Sequence, residues 1–171
     1  KLPYNTALAL AETVLIDLTP ACTRIEIAGS VRRCKPEIGD LEIVCIPAMT
    51  ETPGLLGPEP VSALPGRLEE VVRARGWKRI KGGHLYQSYD LGPCQLDLYV
   101  TTPAKWGVIF TLRTGSAEFS HRLVTPKRYG GLCPSYLHVK DGRVWHGEKI
   151  IPTPEERDVF QVLDIAWIPP E

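Results

Sequence analysis

The hydrophobic positions of this chain change period along its length, and each change predicts an element. Over residues 6–18, Leu8, Leu10, Ala11, Val14, Leu15 and Leu18 recur at three- and four-residue spacings until Pro20 stops them, which predicts an amphipathic helix. Residues 24–28 alternate and lead into Gly29-Ser30, predicting a short strand, and 41–46 predicts a second, more buried one. The stretch 47–66 holds five prolines and three glycines, so regular structure is not expected and it reads as a surface loop. Residues 64–75 predict a helix with Leu68, Val71 and Val72 inward, ended by Gly76. Three strands are expected at 77–80, 85–91 and 94–100, the last two joined by a tight turn at Gly92-Pro93. After Pro103 the helical period returns over 104–112 and again over 116–124, behind Thr114-Gly115. Asp141-Gly142 predicts a hairpin between 136–139 and 143–146. Thr153 as N-cap, Pro154 at the first helical position and two acids behind it predict a last helix to about residue 163. The order of elements predicts an α+β protein of two packed units, 1–101 and 102–171, hinged near Thr102-Pro103.

With 171 residues, 43% of them hydrophobic, the chain can bury one good core or two small ones sharing an interface. It has no apolar run of membrane-spanning length and no secretory leader pattern, so a cytoplasmic location and no membrane partner are expected. Its five cysteines are widely spaced without a C-x-x-C pair, which predicts reduced, mostly buried thiols rather than a disulfide framework or zinc ribbon. Net charge is zero, yet residues 1–60 carry five Lys or Arg against eight Asp or Glu, while 101–149 carry eight against three. That asymmetry suits a protein holding cations in one place and phosphates in another.

Asp40 and Glu42 lie two apart on a predicted strand, and the period of two sends both carboxylates to one face. Asp97 shares a face with Gln95 and Tyr99 on a separate strand, and pairing of the two strands would bring a third carboxylate alongside. Three carboxylates that close repel by roughly a few kcal/mol per pair, and a hard dication such as Mg²⁺ offsets this. Taken singly, each acid has a plain structural role: Asp40 after a glycine turn, Glu42 solvated on a strand, Asp97 paired with an arginine. What shifts the weight is Gly29-Ser30, followed by Val31-Arg32-Arg33 just upstream. Glycine lets a phosphate approach the backbone, serine donates a hydroxyl and arginine a fork of donors.

Gly29-Ser30-Val31-Arg32-Arg33 and Gly39-Asp40-Leu41-Glu42 resemble the G-S-x-R-R and G-D-x-D signatures of the family X (polymerase beta-like) DNA polymerases. Asp97 occupies the third carboxylate position, Thr114-Gly115-Ser116 with Phe119 resembles the T-G-S motif, and Glu155 to Phe160 leading to Trp167-Ile168-Pro169-Pro170 resembles the closing segment. The resemblance covers about 6–171. It implies a nucleotidyltransferase palm, a mixed, mostly antiparallel sheet flanked by helices, over 1–101, then a small α+β thumb over 102–171. It further implies that Asp40, Glu42 and Asp97 bind two Mg²⁺ ions, with Mn²⁺ an acceptable substitute. Asp40 and Glu42 would bridge to a triphosphate and Asp97 would face a primer 3′-hydroxyl. Gly29, Ser30, Arg33 and Gly39 would hold phosphates, Leu112, Arg113, Gly115 and Ser120 would face the nucleotide, and Arg122, Lys127 and Arg128 the DNA. The expected activity is DNA-directed addition of dNTPs to a primer–template or gapped DNA, as in gap filling or short repair synthesis, by a monomer.

Several positions depart from the family. Glu42 is one methylene longer than the usual Asp, and Leu112-Arg113 replaces an aromatic pair, weakening the wall that excludes a ribose 2′-hydroxyl and opening the site to rNTPs. Ala117 and Ser120 stand where a base-facing Asp and Asn are expected, and Val124, with Arg122 close by, where a minor-groove Arg is expected. No hairpin or lyase motif precedes Thr6, so the DNA grip is expected to rest on the basic 101–149 segment and to be salt-sensitive. For Arg113, Arg122, Lys127 and Arg128 a solvated basic face stays an open alternative. Trp106 and Phe110 are expected in the core, and His84, His121, His138 and His146 in surface or packing roles. The rival functions are an untemplated nucleotidyltransferase acting on nucleic-acid ends or a small molecule, and a non-catalytic nucleotide- or DNA-binding remnant.

Overall fold

The computed structural model describes residues 1–54 and 57–170. Helix α1 (Tyr4–Leu18) turns Ala7, Ala11, Val14 and Leu18 inward, and a short strand before it, β1 (Leu2–Pro3), pairs with β3 (Glu37–Ile38). Beneath lies a five-stranded sheet ordered β2 (Cys22–Ile27), β4 (Asp40–Pro47), β9 (Gln95–Val100), β8 (Tyr86–Asp90), β7 (Lys78–Lys81). Only the β4–β9 pair is parallel. The fold is therefore α+β with a mixed, mostly antiparallel sheet. Helix α3 (Leu64–Arg75) packs beside α1 through Leu64, Leu68 and Val71, and Gly76 ends it in the left-handed conformation at φ +69°. A one-turn helix, α2 (Gly29–Arg32), follows β2.

The proline-rich stretch is not a loop. Strands β5 (Met49–Gly54) and β6 (Gly57–Ser62) form an antiparallel ribbon with Pro53 opposite Pro58 and Pro60 opposite Glu51; Leu55 and Leu56, part of the expected loop, lie outside the described residues. Proline is excluded from central strands because it cannot donate to the ladder, but in a two-stranded ribbon both strands are edges and the objection lapses.

Beyond Val100 the chain forms α4 (Trp106–Thr114), α5 (Ala117–Val124), the three-stranded sheet β10 (Leu137–Lys140), β11 (Arg143–His146) and β12 (Lys149–Ile151), and α6 (Glu156–Val162). Asp141 and Gly142 both take positive φ, 54° and 72°, as the expected tight turn requires. The last helix is capped by Glu155 rather than Thr153: the Glu155 side chain accepts from the Asp158 backbone, and the Asp158 carboxylate accepts from Glu155 N at 2.8 Å. This reciprocal box satisfies two end donors and starts the helix at Glu156, two residues later than a Thr153 cap would. Of the cysteines, Cys45 and Cys133 are buried and Cys34 is exposed; all five are free thiols, so burial is less general than expected. No helix among the described residues is long and apolar enough to cross a membrane.

Two apolar cores result, one over residues from Ala7 to Leu98 and one from Val108 to Leu163. A third cluster joins them: Ala28, Val44 and Ile46 from the sheet meet Trp106 and Phe110 of α4. Polar staples close the seam. Arg24 forks onto Glu155 (2.7 and 3.0 Å) with its guanidinium 4.1 Å over the Trp106 ring. Arg32 forks onto Glu156 (both 2.6 Å), donates to Thr114 Oγ1 (2.6 Å) and lies 4.1 Å over Phe110.

Helix α4 can run this close to the 153–155 segment because position 107 is glycine; a Cβ there would collide with the Thr153 and Glu155 carbonyl oxygens. Gly107→Ala is expected to cost about 1–3 kcal/mol, the usual worth of overpacking. Urea denaturation checks this, and an unchanged midpoint would refute close packing at the seam.

Candidate functional site

The parallel register of β4 and β9 sets Asp40 opposite Gln95 and Glu42 opposite Asp97. Leu41, Ile43, Leu96 and Leu98 are fully buried on the other face, so the alternation leaves Asp40, Glu42 and Asp97 together on the face toward α2 and α4. Asp97 is buried, and its Oδ1 accepts from Tyr86 Oη (2.9 Å) and Gln95 Nε2 (2.7 Å). Burial raises the Glu42 pKa to about 7, with the Asp40 charge adding and Arg33 and Arg113 opposing. Burial and then Asp97 push Asp40 upward as well. These are the marks of crowded, partly desolvated carboxylates.

Strand β2 delivers the Gly29-Ser30 segment against this cluster. Gly29 has φ +59°, and a Cβ there would overlap the Glu42 carboxyl; Ala28 N donates to Glu42 O at 2.8 Å. Glycine is thus demanded twice, by backbone conformation and by the side chain it must clear. The Ser30 hydroxyl and Arg33 Nε are buried without a partner among the described residues. Arg33 Nη1 donates to the carbonyls of Thr114 (2.5 Å) and Gly115 (2.8 Å), which ties the upstream motif to the start of the second unit. Gly39 is exposed immediately before Asp40. Arg33, Thr114, Gly115, Phe119, Phe160 and Trp167 line a cavity of about 270 Å³ at this junction.

The other expected site residues divide. Arg113 is exposed, its guanidinium 4.0 Å over the Tyr99 ring, which itself stacks near Tyr86 at 5.2 Å. Leu112 packs toward the second core, and Ser120 Oγ donates to Leu112 O at 2.7 Å, so these two serve the α4–α5 contact. Ser116 caps α5, accepting from Phe119 N at 3.1 Å. Arg122, Lys127 and Arg128 are exposed on and after α5, apart from the carboxylates in sequence and element. Sequence reasoning missed Tyr86. It stands opposite Tyr99 in the β8–β9 register, and only that pairing brings it within reach of Asp97. The four histidines are exposed.

Among the described residues no three of His, Cys, Asp and Glu form a ready-made metal cage. Asp97 Oδ1 is taken up by Tyr86 and Gln95. The donor chemistry nonetheless fits a hard dication: an all-oxygen carboxylate set in which burial first and the neighbouring carboxylate second push two pKa values upward, with an unpartnered serine hydroxyl in the adjoining α2 segment. Comparison with models of known protein families finds no match, and neither does a search of curated proteins.

Folding raises the Glu42 pKa from 4.5 to about 7. In the window between those values the folded state holds a proton that the unfolded state has lost, so this group's penalty is complete above about pH 7 and disappears as pH falls toward 4.5. Asp40, raised in the same direction, adds to the effect. Without divalent ions, thermal stability is expected to rise as pH is lowered from 8 to about 5. Glu42→Gln should be more stable than the parent at pH 8 and less sensitive to pH. Thermal melts across the range check it, and parallel profiles for the two proteins would exclude Glu42 as the source.

Proposed function

We propose that this chain is a magnesium-dependent nucleotidyltransferase of the family X type that extends a DNA 3′ end on a template, with a palm over 1–101 and a thumb over 102–171. The observation that carries the reading is the parallel register that sets Glu42 beside Asp97, with Asp40 on the same face, Gly29 against the Glu42 carboxyl, and the buried Ser30 hydroxyl and Arg33 Nε of the adjoining segment left without partners among the described residues. Carboxylates and phosphate-type donors meeting at one place are what phosphoryl transfer requires.

On this reading Asp40, Glu42 and Asp97 would hold two magnesium ions, whose charge would offset that of the triphosphate and favour ionisation of the attacking hydroxyl. The chain's own residues do the rest. Ser30 Oγ and Arg33 Nε donate to the phosphates, and Gly29 lets them approach the backbone. Tyr86 and Gln95 occupy Asp97 Oδ1, which fixes the carboxylate and leaves its other oxygen for the reaction. The primer 3′-oxygen attacks the α-phosphorus in line, one phosphodiester bond forms and the bond to pyrophosphate breaks. Arg32, through Glu156 and Thr114, keeps the thumb's Thr114-Gly115 turn against this site.

An untemplated nucleotidyltransferase is the second reading, favoured by one observation: Ser120 Oγ is spent on Leu112 O and Ala117 has no polar group, so the positions expected to read the templating pair offer nothing to it. Arg113 over Tyr99 also replaces a rigid aromatic wall near the sugar. Deoxy- over ribonucleotide preference is therefore expected to fall below about a hundredfold, since an apolar pocket alone excludes an added hydroxyl poorly.

Primer extension with and without template, using matched dNTP and rNTP, is the test. Template-dependent products support the leading reading and template-free tails the second. Asp97→Ala is expected to lower extension by at least about a thousandfold while nucleotide affinity, measured by equilibrium binding, changes little. Near-normal extension by that variant would sink the reading.

A further inference from the structure

The sheet of β10, β11 and β12 buries one face and turns the other outward. Leu137, Val139, Val144 and Ile151 pack into the second core. The cross-strand register sets His138 opposite Trp145, Trp145 opposite Ile150, and Lys140 opposite Arg143, so these five share the outward face. Its chemistry is unusual for a surface with no task. The His138 and Trp145 rings lie parallel, 8° apart with centroids at 6.1 Å, and the indole is fixed by Trp145 Nε1 donating to Lys140 O at 3.1 Å. His138 and Lys140 are exposed, and Ile150 is 41% exposed.

Lys140 and Arg143 face each other directly, an arrangement that costs stability because like charges across a ladder repel. Neither has a carboxylate within salt-bridge distance among the described residues. The five residues of this face include no acid, and the acids nearest to them in sequence, Asp141 and Glu148, lie in the turns. A rigid aromatic pair beside two uncompensated cations matches one polymer: flat bases to stack on, and phosphates to neutralise the charge. A duplex hides its base faces, so its backbone would meet the cations and leave the rings unused.

We infer that this outward sheet face binds single-stranded nucleic acid, with unpaired bases stacking on Trp145 and His138 and the phosphates meeting Lys140 and Arg143. The site is built on different elements from the carboxylates and does not rest on nucleotidyl transfer.

The test is fluorescence anisotropy of a short labelled oligothymidylate, its uridylate counterpart and a blunt duplex with the full chain in EDTA, across a salt series. Trp145→Ala is expected to weaken single-strand binding roughly tenfold or more, while Trp145→Phe keeps most of the affinity because a ring remains. Lys140→Gln with Arg143→Gln should lower the slope of log affinity against log salt by roughly 1.4, about 0.7 for each phosphate no longer neutralised. Asp97→Ala should bind as the parent does, so a failed extension assay and a failed binding assay are told apart. Unchanged affinity and slope in the Trp145 and the Lys140/Arg143 variants would overturn the inference. So would an equal loss of duplex binding in Trp145→Ala with a native melting profile. Should Trp145→Ala not fold, the double Gln variant and the phenylalanine comparison decide alone.

Discussion

The one parallel strand pair in an otherwise antiparallel sheet governs this molecule. Parallel neighbours cannot be joined by a tight turn, so the chain must leave the end of β4 and return to the start of β9 by a long excursion. Residues 48–94 make that journey, and they supply the ribbon, the second core helix α3 and the two outer strands β7 and β8. The register is locked by burial. Leu96 and Leu98 are fully enclosed, and a slip of one residue would carry Asp97 into their place and expose them. The hydrophobic core thus holds three acids together that electrostatics alone would drive apart.

The seam between the two units is built with unequal contributions. Arg24, Arg32 and Arg33 all come from the first unit and reach across to carboxylates, a hydroxyl and backbone carbonyls of the second. Two of them also lie on the aromatic rings that form the apolar part of the contact. Guanidinium suits this because its planar fork and weak hydration allow hydrogen bonding at the edges and stacking on the faces at once. Arg32 and Arg33 closely follow Ser30, so a single turn of helix carries both the seam contacts and the segment that meets the carboxylate face.

Much of this was legible in the sequence. The apolar period of α1, the glycine end of α3, the Asp141-Gly142 turn and the shared face of Asp40 and Glu42 are local patterns, and local patterns survive folding. That Asp97 would join them depended on strand pairing, and the alternation of Gln95 to Val100 with its buried leucines left only one face for it. What the sequence concealed was set by partners distant along the chain. Pro53, Pro58 and Pro60 argued against strands because nothing local shows that a ribbon will have no outer neighbours. Thr153 offers the cap by local pattern, yet the helix starts behind Glu155, which also meets Arg24 across the seam. The bond from Ser120 Oγ to Leu112 O and the packing of Leu112 on the second core likewise join residues on different helices, which no local pattern shows.

The proline ribbon has a consequence for how the protein behaves in a crowded solution. Strands β5 and β6 are almost wholly exposed, the arrangement through which sheets of separate molecules add to one another and begin to aggregate. Three of their positions, Pro53, Pro58 and Pro60, have no amide hydrogen to offer an incoming strand, and Glu51 and Glu59, in adjacent cross-strand pairs, put a charge on each face of the ribbon. The ribbon can close on itself through its own pairs and still be a poor template for growth. The same residues that hid it from prediction guard it against self-association.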